Sequence, residues 1–191
     1  GFYDVVDVSL GADMTAMNEA KEWIEAKEKG EKKTTSCCPA FKNYIEKHFP
    51  TLKDAISETV SPMCAASRYI KEKFPGAVTV FIGPCIAKKA ESMSGEKDTA
   101  DYALTYGEIR AMLRAKGVKL EPEEDTDDQG SIYGKKFANA GGVTAAVLES
   151  MKELGCTGDV SVCKCSGITE CKKALTLMKV GRLPEDFIEG M

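Results

Sequence analysis

The stretch Val78-Thr79-Val80-Phe81-Ile82-Gly83-Pro84-Cys85 decides the fold. Residues 78–82 are uncharged and mostly β-branched or aromatic, the pattern of a short strand buried on both faces, and Gly83-Pro84 stops it. Cys85 follows at the stop, ahead of a helix that carries Lys88 and Glu91 one turn apart. The same arrangement recurs along the chain. Residues 33–36 predict a strand that ends in Cys37-Cys38-Pro39, and residues 3–8, 101–104, 160–163 and 186–191 predict further strands. Helices fall between them. Residues 13–29 predict one with Asp13 as N-cap, Gly30 as stop and Met17, Ala20 and Ile24 on its inner stripe. Ser61-Pro62 opens a second, running to about residue 74 with Met63, Ala66 and Ile70 inward. Thr105 and Glu108 form a capping-box pattern ahead of Ile109, Met112 and Leu113. Gly141-Gly142 precedes a helix with Val143, Val147, Met151 and Leu154 on one side, and residues 169–180 predict the last, closed by Gly181. The acidic run 121–128 predicts an exposed loop. Strands alternating with helices predict an α/β fold with a mostly parallel sheet, in which ligand sites gather beyond the carboxyl ends of strands. Two cysteine motifs lie at such ends.

Composition bounds the function. At 191 residues and 43% hydrophobic content the chain is long enough for one compact domain with a sizeable core. With 26 basic against 30 acidic side chains there is no polycationic surface, which argues against nucleic acid and anionic membrane as partners. No run approaches the roughly 20 apolar residues that cross a bilayer, and the first residues lack a secretory pattern, so the expected location is the cytoplasm.

Eight cysteines, at 37, 38, 64, 85, 156, 163, 165 and 171, are many for a compartment that keeps thiols reduced, so some should be ligands or reactive. A single histidine, His48, argues against His-rich zinc sites and a Cys-His nucleophile pair, and its context predicts a solvated helix end. Cys37-Cys38 alone is ambiguous, because adjacent thiols do not readily bridge and buried cysteine often acts as a small hydrophobe. Cys85 is sharper: a helix N-terminus and Lys88 would both favour thiolate, the form that binds iron or zinc. Glu19 and Glu22 could relay protons, although a charged pair on a helix is usually a solvated face. Cys163, Cys165 and Cys171 suggest a thiolate metal site. Cys171, however, falls on an inner stripe with Ala174, Leu175 and Met178, and a core role is expected for it, as for Cys64 and Cys156.

Thr35-Ser36-Cys37-Cys38-Pro39-Ala40-Phe41, then Ser61-Pro62-Met63, then Gly83-Pro84-Cys85-Ile86-Ala87-Lys88-Lys89-Ala90-Glu91 resemble, in order and spacing, the cluster-binding motifs of iron-only (FeFe) hydrogenases. Gly11-Ala12-Asp13-Met14-Thr15, Phe137-Ala138-Asn139-Ala140-Gly141-Gly142-Val143 and Phe187-Ile188-Glu189-Gly190-Met191 are similar to further segments of that catalytic domain. The resemblance implies the two-lobed α/β fold of the family, with parallel sheets flanked by helices. It implies reversible oxidation of dihydrogen at an H-cluster, a four-iron, four-sulfur cubane bridged to a di-iron subcluster. It assigns Cys38 and Cys85 as cubane ligands, and Cys37, Glu19, Ser57 and Glu22 as the proton route. Lys88, Ser61, Pro62, Met63, Pro84, Phe137 and Met191 would be cofactor-binding. A ferredoxin-like or other electron carrier would be the partner.

Two positions depart from the family pattern: Gly83 stands where methionine is usual, and Ala26 where an arginine often ends the proton path. The resemblance further implies that the domain's opening part and third cysteine motif lie outside these residues. The chain is then expected to bind no assembled H-cluster, to be inactive alone and to be prone to self-association at an open sheet edge. Two other readings remain. A hydrogen-sensing or iron-sulfur assembly relative would have no need of a thiol at Cys37, and a zinc-thiolate protein would need four placed ligands.

Overall fold

The structure is a computed structural model and describes residues 2–97, 99–119, 121, 129–156 and 158–190. Its central element is the helix α1 (Val8–Glu28), started by Asp7, whose carboxylate accepts from Ser9 N at 2.8 Å. The predicted strand over residues 3–8 is therefore absent. Asp7 N donates to Gln129 Oε1, Val5 is exposed, and with no partner strand beside it the segment turns directly into the helix. Asp13, predicted as the cap, lies inside α1 and accepts instead from Ser131 N and Oγ.

The buried stripe of α1 is Ala12, Thr15, Ala16, Glu19, Ala20, Trp23 and Ala26; Met17 and Ile24, expected inward, are only half-buried. Small residues along this stripe let α1 pack closely on α3 (Pro62–Lys73) and on α7 (Gly142–Glu153). Gly11 marks the tightest approach: a Cβ there would lie 2.2 Å from Pro62 O.

The strands form two sheets, and every pairing is parallel. β1 (Lys33–Thr34), β4 (Val162–Cys165) and β5 (Phe187–Gly190) make one, in the order β1-β5-β4. β5 is central and buried at every position, and Phe187 stacks on Trp23 with centroids 4.2 Å apart. β2 (Val80–Gly83) and β3 (Tyr102–Thr105) make the second. β2 starts two residues later than expected because Thr79 is held by Asp101, through Thr79 N at 2.7 Å and Oγ1 at 2.9 Å, and Val78 is exposed. β2 is also only half-buried, contrary to the two-faced burial expected, because its sheet has just two strands.

The remaining helices are α2 (Pro39–His48), α4 (Ala87–Ser92), α5 (Tyr106–Ala115), α6 (Ile132–Lys136) and α8 (Ile168–Lys179), with a 3-10 turn over Pro50–Ala55. The capping box on α5 is present, Ser61 caps α3 by accepting from Cys64 N, and His48 is an exposed helix end, all as expected. Met112 and Leu154, expected inward, are exposed. Residues 122–128 of the acidic run lie outside the described residues, as does Met191. No helix among the described residues is long and apolar enough to cross a membrane.

Candidate active site

Cys37 and Cys38 leave β1 and start α2, with Cys38 as N-cap and Pro39 in the first turn. Pro84 and Cys85 leave β2 just before α4 and are both exposed. Lys88 joins the two motifs: its buried ammonium donates to Cys37 O at 3.1 Å and pairs with Glu91 at 2.7 Å. These two partners hold the ammonium at the start of α4, which is only six residues long. Ser61, Met63 and Phe137 are buried, whereas Pro62 is half-buried at the start of α3.

The Cys37 thiol is buried in the same cluster as Trp23, Phe137 and Phe187, and that burial, with the Glu19 carboxyl nearby, pushes its pKa well up against a smaller opposing pull from Lys88. Glu19 is fully buried and both its carboxylate oxygens lack a hydrogen-bond partner among the described residues. Burial first, then Glu22 and Glu189, push its pKa up to about 8. The Trp23 indole N–H lies near enough to offset a little of this, but its geometry falls short of a hydrogen bond.

Glu22, one turn further along α1, is well partnered. It accepts from Ser57 Oγ at 2.6 Å and Thr59 Oγ1 at 3.2 Å, and pairs with Lys33 at 3.6 Å. It also lines an open cleft of about 510 Å³ with Glu25, Ala26, Glu31 and Glu58. A thiol, a neutral buried acid and a solvent-facing carboxylate thus follow one another from the β1 end to the surface.

The strand-end cysteines, the lysine tie between their motifs and the buried acid behind Cys37 form one constellation, and a family model described as "Iron only hydrogenase large subunit, C-terminal domain" matches residues 1–191. The chain belongs to this iron-only hydrogenase family. It is 31% identical over 173 residues to iron hydrogenase 1 of Clostridium pasteurianum, covering 80% of this chain and 30% of that protein. It is 32% identical over 170 residues to the periplasmic [Fe] hydrogenase large subunit of Nitratidesulfovibrio vulgaris strain Hildenborough, covering 78% and 40%. The chain therefore spans well under half the length of these relatives. A solved [FeFe]-hydrogenase structure of HydA(deltaEFG) aligns over 100% of this chain and 67% of its own, with a TM-score of 0.76 and 24% identity, which shows the shared fold.

The donor set fits the family's cluster as far as it goes. Cys38 and Cys85 would supply soft sulfur ligands at strand ends, and the buried, unpartnered carboxyl of Glu19 is close enough to Cys37 to act on it electrostatically. Gly83 has a structural explanation: a Cβ there would lie 2.7 Å from the Phe81 ring, so this ring takes the space a side chain at 83 would enter. Sequence reasoning missed three participants. Glu189 lies buried on β5 and accepts from Thr144 N at 3.1 Å and from Thr144 Oγ1, with its other oxygen unpartnered among the described residues. Thr59 and Lys33 hold Glu22. For Glu189 a signal existed, a lone acid inside an otherwise apolar strand.

Proposed function

We propose that this chain contributes to reversible interconversion of dihydrogen with protons and electrons, with Cys37, Glu19, Ser57 and Glu22 moving the proton. The H-cluster, when bound, supplies the metal-based hydride chemistry and the electrons' entry and exit. Cys38 and Cys85 would hold its cubane. Lys88, Ser61, Pro62, Met63, Pro84 and Phe137 would line the cofactor, and a ferredoxin-like or other carrier in the cytoplasm would exchange electrons with it.

The observation that carries this reading is Glu19. A fully buried carboxyl with two unpartnered oxygens is costly to keep, and as a structural residue it would be replaced by an apolar one at a gain in stability. As a relay it is well placed, because a pKa pushed up to about 8 lets it take and release a proton near neutral pH. Cys37 delivers the proton at one end. At the other, Glu22 is held by Ser57 and Thr59 at the mouth of the cleft, so the route leaves α1 there although Ala26 offers no cationic terminus.

The test is Cys37→Ala and Glu19→Gln in the whole enzyme matured with its cluster. Both should lose turnover by about 100-fold or more while iron content and cluster spectra persist. Loss of the cluster together with activity would make these residues ligands or structural supports instead. A wild-type enzyme that holds its cluster and shows no turnover would favour a sensory or assembly role.

A further inference from the structure

Glu19 and Glu189 are the buried acids among the described residues, and the proton route uses only the first. Glu189 is 1% exposed on the central strand β5. Its Oε2 accepts from Thr144 N at 3.1 Å and from Thr144 Oγ1, in the first turn of the twelve-residue α7, while Oε1 has no partner among the described residues. Two donors at a helix N-terminus suit a carboxylate. With no donor on Oε1, part of that charge is left unneutralised in the core, where a low dielectric lets it act over several ångströms.

The packing brings Glu189 to the proton route. Phe187 and Glu189, two residues apart, share one face of β5, and Phe187 stacks on Trp23 with centroids 4.2 Å apart. Trp23 lies one turn after Glu19 on the buried stripe of α1, and β1, paired to β5 through Thr34 and Ile188, leads directly to Cys37. Among the described residues, the buried side-chain oxygens and nitrogens without a partner are two on Glu19, one on Trp23 and one on Glu189, so the unmet polarity gathers in this layer. Other charged groups nearby are otherwise engaged. Glu22 is held by Ser57, Thr59 and Lys33, Lys88 by Cys37 O and Glu91, and Lys164, the register partner of Glu189 on β4, is exposed and lies over Gly141. α7 buries only uncharged side chains, α6 only Gly134, and the one titratable group that α3 buries, Cys64, is taken up by Thr99 and Glu91. Among the causes that raise the Glu19 pKa, Glu189 follows burial and Glu22, which is the sign this layout requires.

We propose that Glu189 is a positioning residue of the proton route, a fixed anion anchored on the start of α7 that keeps the relay proton on Glu19. This rests on the reading of Cys37, Glu19, Ser57 and Glu22 as that route. Glu189 passes no proton itself. Glu189→Gln is the informative change, because an amide oxygen can still accept both Thr144 bonds: shape and hydrogen bonding stay and only the charge leaves.

The experiment follows the carboxylic C=O stretch of Glu19 by infrared difference spectroscopy through a pH titration of the whole enzyme matured with its cluster, the band being identified by its loss in Glu19→Gln. In Glu189→Gln the band should vanish at a pH lower by about one unit, and the alkaline limb of turnover should move with it while the cluster spectra persist. A band midpoint that stays in place would overturn the proposal and leave the proton route standing. Turnover that survives Glu19→Gln would overturn the route itself and, with it, the role of Glu189. Should Glu189→Gln fail to fold, Glu19→Gln alone decides: it should remove all the C=O intensity that titrates near neutral pH, and a residual band lost in the same range would show that Glu189 carries a proton and is no fixed anion.

Discussion

At the scale of single residues, Glu19 couples function to stability with a sign that can be worked out. Its pKa is about 8 in the folded chain against an ordinary value of 4.5, so between these pH values the folded state keeps a proton that the unfolded state has released. Stability therefore falls as pH rises through that window and is undiminished below it. Glu19→Gln should remove this slope, raising stability at pH 8 by something on the order of 4 kcal/mol and leaving it nearly unchanged at pH 4.5. Denaturant unfolding at the two pH values measures this, and equal gains at both would mean that Glu19 is not a buried neutral acid. Spacing alone offered Glu19 and Glu22 as a pair on a helix, and the family resemblance gave them a place on the proton route. What the sequence could not show is that one faces Trp23 and the core while the other meets Ser57, because the true inward stripe depends on α3 and α7, which close over α1 from distant parts of the chain. The cysteines divide in the same way. Cys171 is buried as its helical periodicity implied, yet it shares a core cluster with Cys165 only because α8 folds back on β4.

At the scale of elements, local chemistry was legible wherever the signal was itself local. Ser61 ahead of Pro62, and Thr105 three residues before Glu108, are caps in the structure because each side chain satisfies a backbone N–H of its own helix. The strands were legible in kind but displaced in register, since where pairing begins is set by groups such as Asp101, which occupies Thr79 before the ladder starts. α5 gives a direct test. It buries none of its residues, so its capping box carries much of its stability, and Thr105→Ala should cost about 1 kcal/mol, read as lost helical protection at residues 106–115. Glu108, bonded first by Lys89 and then by Thr105, has its pKa lowered to about 2. Its stabilising contacts are therefore complete above pH 4.5 and fade as pH falls toward 2. On β2, Gly83→Ala should be unfavourable by about 1–3 kcal/mol because the new Cβ meets Phe81, and the penalty should shrink in a Phe81→Leu background. An undiminished penalty would locate the strain in the backbone instead.

The whole molecule is two parallel sheets of unequal security, and the candidate site lies across them. β5 is paired on both sides, buried at every position and stacked against Trp23 of α1, so its amides should exchange only on global unfolding. The β2–β3 pair has just two strands, an arrangement that is marginal without support, and its flanking helices are the six-residue α4 and the unburied α5. Its ties to the larger body are one small apolar cluster, Met63 and Cys64 of α3 with Ala100 and Phe81, and a few polar contacts: Lys88 to Cys37 O, Cys64 to Thr99, Ser67 to Thr79 and Lys71 to Asp101. Cys38 therefore stands on the rigid unit and Cys85 on the softer one, so a group bound to both would draw the softer sheet onto the harder one. Hydrogen exchange should find β2, β3 and α5 opening at a lower free energy than β5 and α1. Lys88→Met removes the bonds to Cys37 O and Glu91, and it should lower protection in α4, β2 and β3 further while β5 stays unchanged. An equal loss of protection in β5 would mean that the two sheets open as one cooperative unit and that Lys88 does not stand at the boundary between them.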